Sequence, residues 1–336
     1  MPDPCVSVVI PTLAADDTLA ECVRSLLAQS RADFEVVIVD NSGKRLVRSH
    51  LFTDPRVRVI ENDENVGFGI AVNQGFRATQ ARYLAVLNDD AVAGPDWIEA
   101  LVQAAEDAPD AGMFASQVKL FPEGTLDSAG MQISGDGTSK QRGHGRGPGE
   151  YADAADVLLP SGSAALYRRK MLEEIGLFDE RFFLYCEDTD LGLRARWAGW
   201  KCVYVPGAVV DHRYSHSAGK ASGMKAYYVE RNRLFTVLKN FPLGMLVAVP
   251  FFSVARYFWH WKYMRAGKGA AAEFSRTGTP FDLVRLVLRA NAEALGRWRE
   301  MRECYRKMRK TARLNNAEFQ ALLRVHAISV KQVASL

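Results

Sequence analysis

The sequence predicts an α/β fold, a mostly parallel sheet flanked by helices, followed by a helical, basic C-terminal region. Three observations lead there. Short β-branched runs alternate with helix-spaced text through the first third of the chain. Those runs are nearly continuous in apolar residues, as strands buried on both faces are. The charge also changes sign: residues 1–220 carry 22 Lys and Arg against 32 Asp and Glu, and residues 221–336 carry 21 against 7, beneath an overall charge of only +4.

The elements follow in order. Residues 6–12 (VSVVIPT) and 34–42 (FEVVIVDNS) are β-branched runs closed by turn residues, and ADDTLAECVRSLLAQ between them spaces Leu19, Val23, Leu26 and Leu27 along one helix face. RVRVIEN (56–62) predicts a third strand, GIAVNQGFRATQ (69–80) a crossover helix and YLAVLNDDA (83–91) a fourth strand. SGDGTSKQRGHGRGPG (134–149) holds six glycines among basic residues without periodicity, which predicts a flexible loop, either a lid or a plain surface insertion. DVLLPSGSAALYRRKMLEEIG reads as a strand, a turn at Ser161-Gly162-Ser163 and a helix, and KCVYVPGAVVD as a further strand. Beyond residue 225 the text is helical and basic.

Composition narrows the class. At 336 residues, 48% hydrophobic and 24% charged, the chain has ample core, which excludes disorder and collagen-like repeats as the main architecture. Five cysteines, an odd number with no CxxC pair, fit a reducing cytoplasm better than a disulfide scaffold. The opening MPDPCVSVVIPTL lacks a basic leader, so no secretory signal is expected. LGMLVAVPFFSVA (243–255) is too short for a spanning helix and contains Pro250.

In open parallel sheets ligands sit beyond the carboxyl ends of the strands. Three such ends are polar: Pro11 and Thr12, Asp40 and Asn41, and Asn88-Asp89-Asp90. Asp40 and Asn41 also read as a simple turn after their strand, and that alternative stays open. NVGFGIAVNQG (65–75) offers Gly67 and Gly69 but Val72 where GxGxxG needs glycine, which argues against a dinucleotide oxidoreductase. The acidic cluster at 88–90 suits a hard divalent cation that keeps positions open for phosphate oxygens. His212 and His216 follow a strand in VVDHRYSHS, and imidazole with carboxylate suits manganese or a similar ion.

The stretch FFLYCEDTDLGLRARWAGW (182–200) places Glu187, Asp188 and Asp190 in the first turn of a helix beginning near Glu187. The macrodipole favours acids there, and for Glu187 and Asp190 capping and orientation account for their presence. Leu184, Leu191 and Ala195 continue a buried face, which puts one carboxylate at the border of core and cleft. Partial desolvation raises its proton affinity and makes it a better base.

Taken together and in order, VSVVIPTLAADDTLAECVRSLLAQ, VVIVDNSG, ENDENVGFGIAVNQGF, YLAVLNDDA, SGSAALYRRKMLEEIGLFDERFFLYCEDTDLGLRARWAGW and VYVPGAVVDHRYSHSAG resemble glycosyltransferase family 2, inverting enzymes of the GT-A fold with a Rossmann-like sheet. The chain looks most like the rhamnosyltransferase and galactofuranosyltransferase branch of bacterial surface-glycan assembly. The resemblance implies a catalytic, nucleotide-sugar-binding domain over residues 1–222 and a basic helical region over 223–336. By position in the family's motifs, Asp40 would accept from the uracil or thymine edge with Pro11 and Thr12 nearby. Asn65, Gly67 and Asn73 would line the nucleotide pocket, Asp89 would lie by the ribose with Asn88 before it in the donor site, Asp90 and His212 would hold Mn2+ or Mg2+, and Asp188 would be the general base. The donor implied is a UDP- or dTDP-sugar, the acceptor a glycan or lipid-linked hydroxyl. Asn88 stands where the family's Asp-x-Asp motif begins with Asp, one carboxylate fewer. No Gln-x-x-Arg-Trp motif or membrane-spanning pair is present, so transfer of one or few sugars is expected rather than polymerisation.

The tail segment RWREMRECYRKMRKTAR spaces Trp298, Met301, Tyr305, Met308 and Ala312 along one face of a basic helix. It predicts contact with an anionic membrane surface, on the inner face of the cell membrane, or packing on the body or on a second subunit. No nucleic-acid partner is expected, because no binding module accompanies the charge. Two other function classes are weighed: a nucleotidyltransferase, which would release pyrophosphate but lacks a Gly-rich basic loop after the first strand, and a non-catalytic sugar-nucleotide scaffold.

Overall fold

The computed structural model describes residues 4–13, 16–50, 52–213, 223–267 and 279–335. The chain packs as two units. Met1–Met131, Gln141–Phe183 and Trp200–Ser217 form the first; Gln132–Lys140, Leu184–Gly199 and Ala218–Leu336 form the second.

In the first unit β1 (Val6–Thr12), β2 (Phe34–Asp40), β3 (Val57–Glu61) and β4 (Tyr83–Leu87) lie parallel in the order β4-β1-β2-β3. The helix α1 (Asp17–Leu27) joins β1 to β2, and α2 (Phe68–Arg77) joins β3 to β4. Leu19, Val23 and Leu26 of α1 share one core with Val8, Ile10, Val36 and Ile38 of the sheet, the face that the spacing predicts. On α2 the contact with β1 requires glycine, because a Cβ on Gly75 would lie 2.6 Å from the Val9 methyls. Thr12 and Asp40 are register partners, so the polar ends of β1 and β2 are adjacent.

Past β4 the sheet becomes mixed. β5 (Ala91–Ala93), α3 (Trp97–Asp107), β6 (Ala111–Leu120), β7 (Leu126–Ser128), β8 (Met131–Ile133), β9 (Ser139–Gln141), β10 (Ala155–Asp156), β11 (Ala164–Arg168), α4 (Arg169–Ile175) and β12 (Lys201–His212) follow in the chain, β8 and β9 forming a two-stranded sheet of their own. β11 is antiparallel to both β4 and β6, while β12 runs parallel to β6 and antiparallel to β5. The β5–β12 pairing sets His212 opposite Ala91, one residue beyond Asp90.

The second unit is helical: α5 (Glu187–Trp197), α6 (Gly223–Asn240), α7 (Leu243–Leu246), α8 (Val249–Arg265), α9 (Pro280–Gly296), α10 (Trp298–Met308), α11 (Asn316–Val325) and α12 (Val330–Ser335). Trp197 ends α5 stacked on Phe319 at 3.9 Å, with its indole N–H donating to the Asn240 carbonyl at 2.9 Å. Among the described residues no helix is long and apolar enough to cross a membrane.

Two features differ from the sequence reading, and a third chooses between the alternatives it left open. The packing does not divide at 222/223, because α5 belongs with α6: buried Asp190 accepts from Arg194 at 2.9 Å, Lys239 at 2.8 Å and Asn240 at 3.0 Å. Asp190 therefore binds two helices together instead of capping one. The first part of the glycine-rich segment is no free loop, since Ser134, Asp136 and Thr138 are buried and Asp136 pairs with Arg256 at 2.5 Å. On the basic tail helix Trp298 is exposed, but the rest of the helical stripe packs inward: Met301 and Met308 are buried, Tyr305 meets Trp197 edge-on at 6.4 Å, and Arg302 donates to the Leu238 and Phe241 carbonyls at 3.1 and 3.0 Å. That stripe serves the fold of the second unit.

Candidate active site

The first unit collects most of the predicted residues at the carboxyl ends of its strands. Asp40 is buried, and its two carboxylate oxygens accept from the backbone N–H groups of Ser42 at 2.9 Å and Val47 at 3.0 Å. The turn reading of Asp40 is thus realised in the geometry. Asn41 donates to the Gly67 carbonyl at 3.3 Å and accepts from Asn62 at 2.7 Å. Asn65 accepts from the Gly67 N–H at 2.9 Å, and Gly67 sits at φ +89°. A Cβ there would stand 2.5 Å from the Phe183 carbonyl oxygen, so only glycine permits this approach. Asn73 is buried with both ends of its amide engaged: it donates to the Phe178 carbonyl at 2.9 Å and accepts from the Phe178 N–H at 3.1 Å. It positions the segment leading to Phe183.

The end of β4 is the most strongly polarised place in this unit. Asn88 is fixed by its backbone N–H on the Ser163 carbonyl at 2.9 Å, and its side-chain amide lies 3.3 Å from His212 Nε2. Burial pushes the Asp89 carboxyl up to about 6; the Thr12 hydroxyl opposes that by hydrogen bonding, and the charge of Asp90 adds to it. His212 is the hub. Its Nε2 stands 3.1 Å from Asp90 Oδ1, and its Nδ1 stands 3.1 Å from Asp127 Oδ2. Burial disfavours the imidazolium, yet hydrogen bonds to Asp127 and Asp90 outweigh it and hold His212 up at about 9. Asp127 also meets His144 at 3.3 Å, and burial, which would raise its carboxyl, is overcome by hydrogen bonds from the two histidines. His216 lies outside the described residues. Sequence reading missed Asp127: it is 85 residues from His212, in a three-residue strand without a recognisable motif.

In that arrangement Asp127 fixes the ring and Nε2 stands against a carboxylate oxygen of Asp90; imidazole and carboxylate are donor types that borderline and hard divalent cations take. Among the described residues no three His, Cys, Asp or Glu side chains form a closed cage.

Asp188 stands in the second unit. Every other residue of α5 is buried; Asp188 alone is partly open, with Oδ1 accepting from the Thr189 N–H at 2.6 Å and from the Thr189 hydroxyl at 3.2 Å. Glu187 beside it is buried, and burial, with the charge of Asp188, pushes its carboxyl up to about 8. The helix enters from strained backbone: Phe183, Tyr185 and Cys186 have φ of 63°, 70° and 66°. Non-glycine residues hold such angles only where surrounding contacts impose them. Asn232 of α6, fully buried, supplies one such contact, its amide donating to the Leu184 and Tyr185 carbonyls at 2.8 and 2.7 Å. Nothing in the sequence text marked Asn232.

A family model described as glycosyl transferase family 2 matches residues 7–176. N-acetylglucosaminyl-diphospho-decaprenol L-rhamnosyltransferase of Mycobacterium tuberculosis is 32% identical over 252 residues, which are 66% of this chain and 80% of that protein. Among solved structures, GalNAc-T7 with UDP, GalNAc and Mn2+ gives a TM-score of 0.62 at 17% identity, over 76% of this chain and 51% of the other. The mannosyltransferase PcManGT from Pyrobaculum calidifontis with GDP-Man and Mn2+ gives 0.51 at 17% identity, over 94% and 87%. At such identities the two structures are likenesses of fold.

Proposed function

The chain belongs to glycosyltransferase family 2, and from that premise we propose that it transfers a sugar, of the rhamnose or galactofuranose type, from a UDP- or dTDP-nucleotide to a hydroxyl of a glycan or lipid-linked acceptor with inversion. The name of the Mycobacterium tuberculosis relative, an N-acetylglucosaminyl-diphospho-decaprenol L-rhamnosyltransferase, supports a rhamnose-type sugar and a lipid-linked acceptor.

The observation that carries the mechanism is the single opening in α5. Asp188 takes the proton of the acceptor hydroxyl as that oxygen attacks the anomeric carbon from the face opposite the nucleoside diphosphate. A new C–O bond forms, the donor C–O bond breaks, and its electron pair leaves with the diphosphate. Neighbouring Glu187, holding its proton near neutral pH, lets Asp188 carry the charge of the first helical turn without a second anion beside it. Thr189 fixes one carboxylate oxygen of Asp188 by its backbone N–H and its hydroxyl.

The donor is assigned to the strand ends of the first unit: Pro11, Thr12 and Asp40 toward the pyrimidine, Asn65, Gly67 and Asn73 shaping the pocket wall, Asn88 and Asp89 toward the ribose. Asp90 and His212 would hold a divalent cation, and their convergence, with Asp127 fixing the ring, fits one. When bound, such a cation supplies Lewis-acid stabilisation to the leaving diphosphate. Asp127 acts through His212 as a positioning residue.

The test is a screen for nucleoside diphosphate release over donor sugars, with Mn2+ or Mg2+ and with chelator. Release of nucleoside diphosphate that needs the cation is the expected result; pyrophosphate release or chelator-resistant turnover would overturn the assignment.

A further inference from the structure

Helix α8 is built inside out. Its inner face carries Val249, Ser253 and the buried Arg256, whose guanidinium bonds Asp136 at 2.5 Å and Glu230 at 2.7 Å. Its outer face carries Phe251, Val254, Phe258 and Trp261, between 49 and 75% exposed, at spacings of three and four residues. In water a surface helix shows the reverse order, with charge outward and apolar residues inward. A run of large exposed apolar side chains of this kind marks an interaction surface.

The chemistry around the face selects the occupant. From residue 231 to residue 272 there is no Asp or Glu. At the C-terminal end of α8, Lys262 lies over the Trp259 ring at 4.9 Å and Arg265 over the Trp261 ring at 5.2 Å. Indole rings with cationic tips beside them fit the level where lipid headgroups meet acyl chains. A second copy would set cations against cations with no acid in this segment to answer them. We propose that the outer face of α8 lies in the surface of a bilayer containing anionic lipid, with Phe251, Val254, Phe258 and Trp261 in the headgroup and acyl boundary and Lys262 and Arg265 on lipid phosphates. This goes beyond the transfer reading and is measured independently of turnover.

The experiment is flotation of the full chain with phosphatidylcholine vesicles, with and without phosphatidylglycerol. The unmodified protein is expected to float with the anionic vesicles and to be released in part by salt. Phe251→Ser, Phe258→Ser and Trp261→Ser together should weaken binding by about tenfold or more. Lys262→Gln with Arg265→Gln should weaken it by about tenfold at low salt. Val325→Ser, 78% exposed on α11, should change nothing. Should the triple variant fold poorly in circular dichroism, the Lys262 and Arg265 pair decides. No flotation of the unmodified chain, or equal flotation of both variant sets, overturns the proposal. So does a dimer that the triple variant dissociates while vesicles bind neither protein. A chain that floats through this face yet releases no nucleoside diphosphate upholds the membrane surface and removes the transfer reading.

Discussion

Asp188 and Glu187 are adjacent carboxylates set apart by burial, Glu187 buried and Asp188 partly open. Asp188→Asn should lower kcat by about 10²- to 10⁴-fold, the scale of a lost general base, with donor affinity by titration unchanged; retained turnover would refute its role. Glu187 has its carboxyl raised from 4.5 to about 8 in the folded chain. Between those values the folded state keeps a proton that the unfolded chain has released, so stability falls as pH climbs through that window. Urea unfolding at pH 5 and pH 8 should therefore show Glu187→Gln close to the unmodified protein at the lower pH and more stable at the higher, by a difference on the order of a few kcal/mol. At this scale the sequence singles out Asp188, Asp90 and His212, because local motifs carry those positions, and their roles rest on the proposed function. It was silent on Asp127 and Asn232, whose meaning comes from partners 85 and 47 to 48 residues away.

The elements show how the chain holds these side chains in place. Tyr185 and Cys186 keep left-handed backbone, and the clamp from Asn232 is one contact that holds it. Asn232→Ala should lower kcat about tenfold or more while donor affinity holds, because misplacing a reacting group by about an ångström costs on the order of a hundredfold; equal loss of both would make the residue merely structural. Asp190 draws Arg194, Lys239 and Asn240 into one buried network, so Asp190→Ala should cost about 3–5 kcal/mol in chemical denaturation. Gly67→Ala puts a methyl against the Phe183 carbonyl at an unfavourable φ and should destabilise the first unit by about 1–3 kcal/mol. Strands and crossover helices of the first ninety residues were legible because their apolar period is local. The tail stripe at Met301, Tyr305 and Met308 was legible as a helix with packing on the body only one of its alternatives, since spacing gives a face and says nothing of what covers it.

Across the whole molecule, the acidic first two thirds and the basic remainder do not coincide with the packing units, because α5 and Gln132–Lys140 join the C-terminal helices. Chelation should abolish nucleoside diphosphate release, and added Mn2+ or Mg2+ should restore it without change in far-ultraviolet circular dichroism; cation together with nucleoside diphosphate at a hundredfold excess over Kd should stabilise the fold by about 2.7 kcal/mol. Family and α/β architecture were determined by the sequence itself, through ordered motifs and period-two and period-3.6 patterns that depend only on near neighbours. Tertiary structure alone decided that Asp127 orients His212, that Asp190 binds α5 to α6, and that the apolar residues of α8 face outward while its arginine faces in. The physical reason is common to all three: burial and pairing are properties of what lies across from a residue, and folding brings those partners from far along the chain.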